Sequence, residues 1–127
     1  MKAYSTDIEH QSEANTAFRR VLFTGPKMQL VVMCLQPGEE IGTEVHPDTD
    51  QFVRIEKGTA KVVFDQEIVE LHEDQVIIVP AGTRHNVVNP SVRKELRLYT
   101  IYAPPQHPDK TVHLTKEEAE AAEGVLA

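Results

Sequence analysis

Short apolar runs separated by turn residues are the feature that most restricts how this chain can fold. Roughly eight or nine such runs can be counted, and most have the length of a β-strand rather than of a helix. Residues 51–57 alternate apolar and polar side chains, as in a strand with one wet face, and Gly58 then marks a turn. A helical pattern occurs only near the end, where Thr115 and Glu118 form a capping box ahead of a helix predicted over residues 116–123. The chain is therefore predicted to be an all-β sandwich or barrel with a short C-terminal helix.

Length and composition indicate a single domain over residues 1–127. A chain of 127 residues, 40% of them hydrophobic and 26% charged, is large enough for one core and not for two. We predict an N-terminal arm over residues 1–16 with at most a short helical turn, a barrel over residues 17–103, and a tail loop with a short helix over residues 104–127. The barrel is expected to include a hairpin, formed by residues 59–64 and 67–71.

The charge and the apolar runs exclude several classes of partner. A net charge of -7 argues against nucleic acid and against anionic membranes. The longest apolar run, residues 30–35, is far shorter than the roughly 18 residues that a membrane-spanning helix needs. The first ten residues lack the apolar segment of a signal peptide, so a cytoplasmic location is expected. Cys34 is the only cysteine and lies in that apolar run, which predicts a buried, unreactive thiol and no intrachain disulfide.

Two segments within residues 38–89 bring together side chains that bind metals. Glu44 and His46 are two residues apart, so an extended backbone directs both side chains to the same face. Later, a strand predicted over residues 83–87 places His85 on one face of its own sheet. His85 can therefore approach Glu44 and His46.

The spacing of these residues resembles the two signature blocks of cupin barrels, G-x5-H-x-H-x(3 or 4)-E-x6-G and G-x5-P-x-G-x2-H-x3-N. All ten anchors have the spacing of the blocks and seven have the expected residue type: Gly38, Glu44, His46, Gln51, Gly58, Asp74, Pro80, Gly82, His85 and Asn89. The three that differ are Glu44 in place of His, Gln51 in place of Glu and Asp74 in place of Gly. The resemblance implies a double-stranded β-helix, or jelly-roll, barrel.

In cupins the His, His, Glu and His of these blocks bind one metal ion. The resemblance therefore implies a metal site made of Glu44, His46, Gln51 and His85. Two imidazole nitrogens, one carboxylate and one amide oxygen suit one divalent ion such as Zn, Mn, Fe or Ni, and do not suit Cu(I). Asp50 is an alternative to Gln51, because the first block tolerates a gap of three or four residues, but the interval to Gly58 favours Gln51.

The same ligand types occur in phosphomannose isomerases, which are also cupin-like and hold zinc with Gln, His, Glu and His. This resemblance implies a metal-dependent enzyme that acts on a small oxygenated molecule, a sugar or sugar derivative, with isomerase-like chemistry of the mannose-6-phosphate isomerase type. Support for the phosphate is weak in the sequence. Arg54 and Arg84 have the opposite parity from Gln51 and His85, so alternation places neither of them in the pocket.

Two other functions remain open. Glu44, His46 and His85 also satisfy the two-histidine, one-carboxylate set of ferrous oxygenases, which makes a non-haem metal dioxygenase the nearest alternative chemistry. The barrel could instead be a non-catalytic binder in which the metal only orients a sugar or another metabolite. No general acid or base is identified from the sequence.

The surroundings of the site are predicted only in outline. His107 and His113 are candidates to line the barrel mouth, because both belong to the tail loop. Tyr99 and Tyr102 point to opposite faces of the last strand, and one of them should face inward. A homodimer is expected, because the edge strands of a small sandwich are commonly covered by a partner.

Overall fold

The structure is a computed structural model that describes residues 1–124. The residues 125–127 of the predicted tail lie outside the described residues. In chain order the elements are α1 (Ile8–Ala14), β1 (Arg19–Thr24), β2 (Gln29–Leu35), β3 (Asp50–Lys57), β4 (Ala60–Phe64), β5 (Glu67–Leu71), β6 (Val76–Val79), β7 (His85–Val88), β8 (Leu96–Ala103), β9 (Val112–His113) and α2 (Lys116–Gly124). Neither helix of this part of the chain is long and apolar enough to cross a membrane.

Two antiparallel sheets form the barrel. The larger sheet has six strands in the order β6-β3-β8-β2-β1-β9, and the smaller has three in the order β5-β4-β7. The predicted hairpin is confirmed as β4 and β5, and the predicted all-β class with a short C-terminal helix is confirmed as well. Strand β2 lies between β1 and β8, so it is a central strand, and this explains why it is apolar on both faces.

Three predictions about the bounds and number of helices and strands are wrong. The arm contains a seven-residue helix, α1, longer than the single turn expected, because Asp7 caps it by accepting a hydrogen bond from the backbone N of His10. The strand predicted over residues 83–87 starts only at His85, since Thr83 still belongs to the turn and donates its backbone N–H to the carbonyl of Pro80. The tail loop also contains the two-residue strand β9, which pairs with β1.

Gly58 occupies the turn between β3 and β4, where no other residue fits without strain. Its φ is 92°, in the left-handed region. A Cβ at this position would lie 2.8 Å from the backbone carbonyl oxygen of Glu95. The last anchor of the first motif block is therefore explained by a close approach of two backbone segments.

The barrel interior changes from apolar to polar along the same strands. On the inward side of β3 and β8, Ile55 lies opposite Leu98, and both are fully buried in the hydrophobic core. Four residues along β3, Gln51 lies opposite Tyr102, and both are also buried. One end of the barrel is therefore filled by aliphatic side chains, whereas the other end contains buried polar groups.

Candidate metal centre

The two motif blocks meet through their backbones at the polar end of the barrel. The backbone N of Glu44 donates to the carbonyl of His85 at 2.8 Å, and the N of His85 donates to the carbonyl of Glu44 at 3.0 Å. The carbonyl of His46 accepts a hydrogen bond from the backbone N of Gly82 at 2.8 Å. Because Glu44 and His85 are direct cross-strand neighbours, their side chains leave the same face.

All four residues predicted to bind the metal lie in one cluster. His46, Gln51 and His85 are buried, and Glu44 is half-buried. The ligand atoms of Glu44, His46 and His85 all lie within 4.8 Å of one another. The Oε1 atom of Gln51 lies 3.0 Å from Nε2 of His85. The side chain of Asp50, the alternative to Gln51, is exposed and accepts a hydrogen bond from the backbone N of Ala81, so it takes no part in this cluster.

His85 and Gln51 direct two hydrogen-bond acceptors at each other. Nδ1 of His85 lies 2.9 Å from the carbonyl oxygen of Thr83, which can only accept, so Nδ1 carries the proton and Nε2 has the lone pair. The amide nitrogen of Gln51 donates to Oγ1 of Thr100 at 3.1 Å, which turns Oε1 of Gln51 toward Nε2 of His85. The two atoms are close enough to act as ligands of one metal ion.

Glu44 and His46 form a second close pair without a hydrogen bond. Oε2 of Glu44 lies 2.8 Å from Nε2 of His46, yet this nitrogen has no hydrogen-bond partner among residues 1–124. Burial opposes ionisation of Glu44, but the neighbouring imidazole of His46 and the charge of Arg19 hold the pKa of its carboxyl below its ordinary value. The cluster therefore offers a carboxylate, an amide oxygen and two imidazole nitrogens, a donor set that fits one divalent ion.

A cavity of about 480 Å³ opens beside this cluster and is closed on one side by the tail loop. The buried amide of Gln29 holds the loop in place: its nitrogen donates to the carbonyl of His107 at 2.8 Å, and its oxygen accepts from the backbone N of Gln106 and of His107. His107 and His113 both line the cavity, as expected for the barrel mouth. A single glutamine on β2 thus brings a distant loop to the site.

The two tyrosines of β8 lie on opposite faces of the sheet. Tyr102 faces the interior, and its ring centroid lies 5.8 Å from that of His46 and 5.1 Å from that of His107. Burial raises the pKa of the Tyr102 phenol, so the hydroxyl group stays protonated. Tyr99 lies on the outer face of the sheet, under the guanidinium of Arg54.

Arg19 is the functional residue that the sequence reasoning missed. Alternation was expected to bring no cation into the pocket, but Arg19 is only 2% exposed and lines the cavity together with Glu44 and His46. Arg54 and Arg84 lie outside the cavity, as predicted: Arg54 pairs with Asp74 at 2.8 Å on the outer face, and Arg84 is exposed. The missed signal was in the first strand, where Arg19 has the same parity as the core residue Val21.

The chain matches the family model for the cupin domain over residues 31–102. It is a member of the cupin family. A solved structure, BH2720 from Bacillus halodurans, is 44% identical, has a TM-score of 0.92, and is matched over 94% of this chain and 95% of that one. The Bacillus subtilis protein YrkC is 44% identical over 128 residues, which cover 96% of this cupin and 68% of YrkC. The predicted double-stranded β-helix is thereby confirmed.

Weaker similarity extends to proteins whose names indicate an activity. Mannose-1-phosphate guanylyltransferase of Escherichia coli is 32% identical over 66 residues, which are 52% of this cupin and 14% of that protein. Polyketide synthase CurC of Streptomyces cyaneus is 36% identical over 62 residues, 49% of this cupin and 39% of that protein. These partial matches involve different chemistries, so they support the family and do not identify one substrate.

Proposed function

We propose that this cupin is a metal-dependent protein that acts on a small oxygenated molecule, a sugar or sugar derivative, with isomerase-like chemistry. One divalent ion, Zn, Mn, Fe or Ni, is held by Glu44, His46, Gln51 and His85. The observation that carries the proposal is the convergence of four ligand groups: the ligand atoms of Glu44, His46 and His85 lie within 4.8 Å of one another, and Oε1 of Gln51 lies 3.0 Å from Nε2 of His85.

The residues of the site have distinct parts in this proposal. A divalent ion bound here would polarise the adjacent carbonyl and hydroxyl oxygens of a substrate. Glu44 neutralises one of its positive charges, and the Thr83 carbonyl holds the ring of His85 in the tautomer that presents Nε2. Gln51 is the weakest of the four ligands because its amide is uncharged, so this position can be vacated when a diol or an anionic group arrives.

His107 lines the cavity and can hold a proton at a substrate oxygen, whereas Tyr102 is buried beside it. Burial, followed by the charge of Arg19, lowers the pKa of His107 to about 3, so its imidazole is neutral at physiological pH and offers one N–H and one lone pair. Tyr102 keeps its hydroxyl proton because burial raises its pKa. The volume of the cavity, about 480 Å³, suits a small metabolite.

The metal site is tested by elemental analysis of the purified protein and of the variants Glu44→Ala and His85→Ala. We expect about one divalent ion per chain in the native protein and loss of most of it in both variants, because each removes one charged or imidazole ligand. Glu40→Ala and His72→Ala are matched controls, since both side chains are exposed and lie outside the cluster, and they should keep the metal. Full metal content in Glu44→Ala and His85→Ala would refute the site.

One observation favours a second chemistry. Glu44, His46 and His85, without Gln51, already form a two-histidine, one-carboxylate group within 4.8 Å, the set used by ferrous dioxygenases. Two assays decide between the isomerase and the dioxygenase activity: aldose–ketose interconversion and oxygen consumption. Both are measured on protein loaded with each of the four metals. Saturable sugar binding without either activity would identify a non-catalytic binder. The expected homodimer and cytoplasmic location stay predictions.

A further inference from the structure

The guanidinium of Arg19 is a buried charge that forms no direct ion pair with the described residues. Its side chain lines the cavity. Its Nη1 atom lies 3.3 Å from Nδ1 of His113, and its Nε atom has no hydrogen-bond partner in the described chain. Removing a cation from water without a partner is costly, so a position of this kind is normally completed by an anion.

The side chains around Arg19 supply further donors rather than negative charge. His113 is its cross-strand neighbour, because β9 pairs with β1 in the register that sets Arg19 opposite His113. Nε2 of His107, on the same cavity wall, is buried and without a hydrogen-bond partner in the described residues. The carboxylates lining the cavity are Glu44, which belongs to the metal cluster, and the exposed Glu123 at the rim.

The charges of the loaded site do not balance among the buried residues that the structure describes. If the proposed function holds, a divalent ion adds two positive charges and Arg19 adds one, while Glu44 removes only one. Two positive charges remain beside the cavity, because Glu123, the other carboxylate that lines it, is exposed and its charge is screened by solvent. A neutral sugar would leave them uncompensated.

We propose that Arg19 and His107, with His113 beside them, form an oxyanion subsite in the cavity that binds a phosphate or carboxylate group of the substrate. This inference rests on the proposed function and narrows it, since the substrate is then an anionic sugar derivative, such as a sugar phosphate or a sugar acid. A guanidinium group suits this task because its planar donors match the oxygens of both groups. Neutral His107 can add an N–H donor.

The test is calorimetric titration of the metal-loaded protein with inorganic phosphate and, separately, with acetate. Arg19→Met should weaken binding of at least one of these anions by about tenfold or more, the usual effect of losing a charge-assisted hydrogen bond. Arg20→Met is the matched control, because Arg20 is the next residue on β1, points to the outer face, and donates to Asn15. The Arg20→Met variant should bind both anions with the affinity of the native protein. Tighter binding of phosphate than of acetate indicates a sugar phosphate, and the reverse indicates a sugar acid.

Equal anion affinities in native protein and Arg19→Met, or no saturable binding to the native protein, would overturn the subsite. If Arg19→Met does not fold, nitrogen-15 NMR spectra of the native protein replace the variant. Phosphate or acetate should then shift the side-chain NMR signal of Arg19. The absence of a shift at saturation would refute the proposal. Metal content is measured on the same samples. A native protein that takes up no metal would end the proposed function, whereas the anion titration of that metal-free protein would still decide the role of Arg19.

Discussion

The two ends of the barrel interior are built by the same strands and stabilised in different ways. On β3 and β8 the inward residues Ile55 and Leu98 are completely buried among other aliphatic side chains. A few residues along the same strands, Gln51 and Tyr102 are almost as deeply buried, but their neighbours are histidines and a carboxylate. At the first end these side chains pack in the hydrophobic cluster. At the second end, buried nitrogen atoms of Arg19 and His107 have no hydrogen-bond partner among residues 1–124.

This difference indicates that stability and binding are divided between the two ends. Close packing of aliphatic groups removes apolar surface from water and needs nothing from outside the chain. Buried polar atoms without a hydrogen-bond partner among the described residues, such as Nε2 of His107, oppose folding unless something binds to them. The polar end is therefore expected to contribute little to the stability of the metal-free protein and most of its affinity for ligands.

The largest effect on stability is expected at the apolar end. Leu98→Ala removes a side chain that is 0% exposed, so the free energy of unfolding should fall by about 2–5 kcal/mol, as measured by urea unfolding. Ile78→Ala, at a position that is 65% exposed, is the control and should cost less than about 1 kcal/mol. The metal content of folded Leu98→Ala should remain native. A loss of metal in this variant would show that the two ends are not independent.

A smaller effect is expected from His107, and it depends on pH. Its pKa is lowered to about 3 in the folded protein from an ordinary value near 6.5, so between these values the unfolded chain binds more protons. The stability of the metal-free protein should therefore fall as the pH decreases through this window. Between pH 7 and pH 5, His107 should account for about 1–2 kcal/mol of that loss.

Urea unfolding of native protein and His107→Asn at pH 7 and pH 5 measures this contribution. The variant should lose less stability than the native protein over the same interval, because asparagine does not titrate. His72→Asn is the control, since that histidine is exposed and lies outside the cavity. If native protein and His107→Asn lose the same stability between pH 7 and pH 5, the buried imidazole of His107 does not cause the pH dependence of the polar end.

The smallest change in stability is expected from Gln51→Leu. Leucine has a similar volume and removes a buried amide, so the free energy of unfolding of the metal-free protein should change by less than about 1 kcal/mol. The affinity for a divalent ion should nevertheless fall by at least about tenfold, because one ligand is lost. Urea unfolding of Gln51→Leu measures the change in stability, and metal titration of the same variant measures the change in affinity. A destabilisation as large as that of Leu98→Ala would remove the contrast between the two ends.

Much of the fold could be predicted because strands and turns leave local signals. The alternation of residues 51–57 and the turn at Gly58 correspond to β3 and its end. Parity and motif spacing were enough to predict that Glu44, His46 and His85 converge. The ends of elements were harder to predict: Thr83 has the parity of a strand residue, but its backbone is held in a turn by Pro80.

The amino-acid sequence by itself determined which side chains share a face of a strand, because the two-residue period of an extended backbone is a local property. Which face of β8 is the inner one, that of Tyr99 or that of Tyr102, was decided by the tertiary structure. Only the tertiary structure decided which distant groups share the cavity. Gln29 binds the loop that carries His107, and the pairing of β1 with β9 sets Arg19 beside His113. These contacts join residues far apart in the chain. They exist only once the barrel has closed, and no local pattern of side chains reports them.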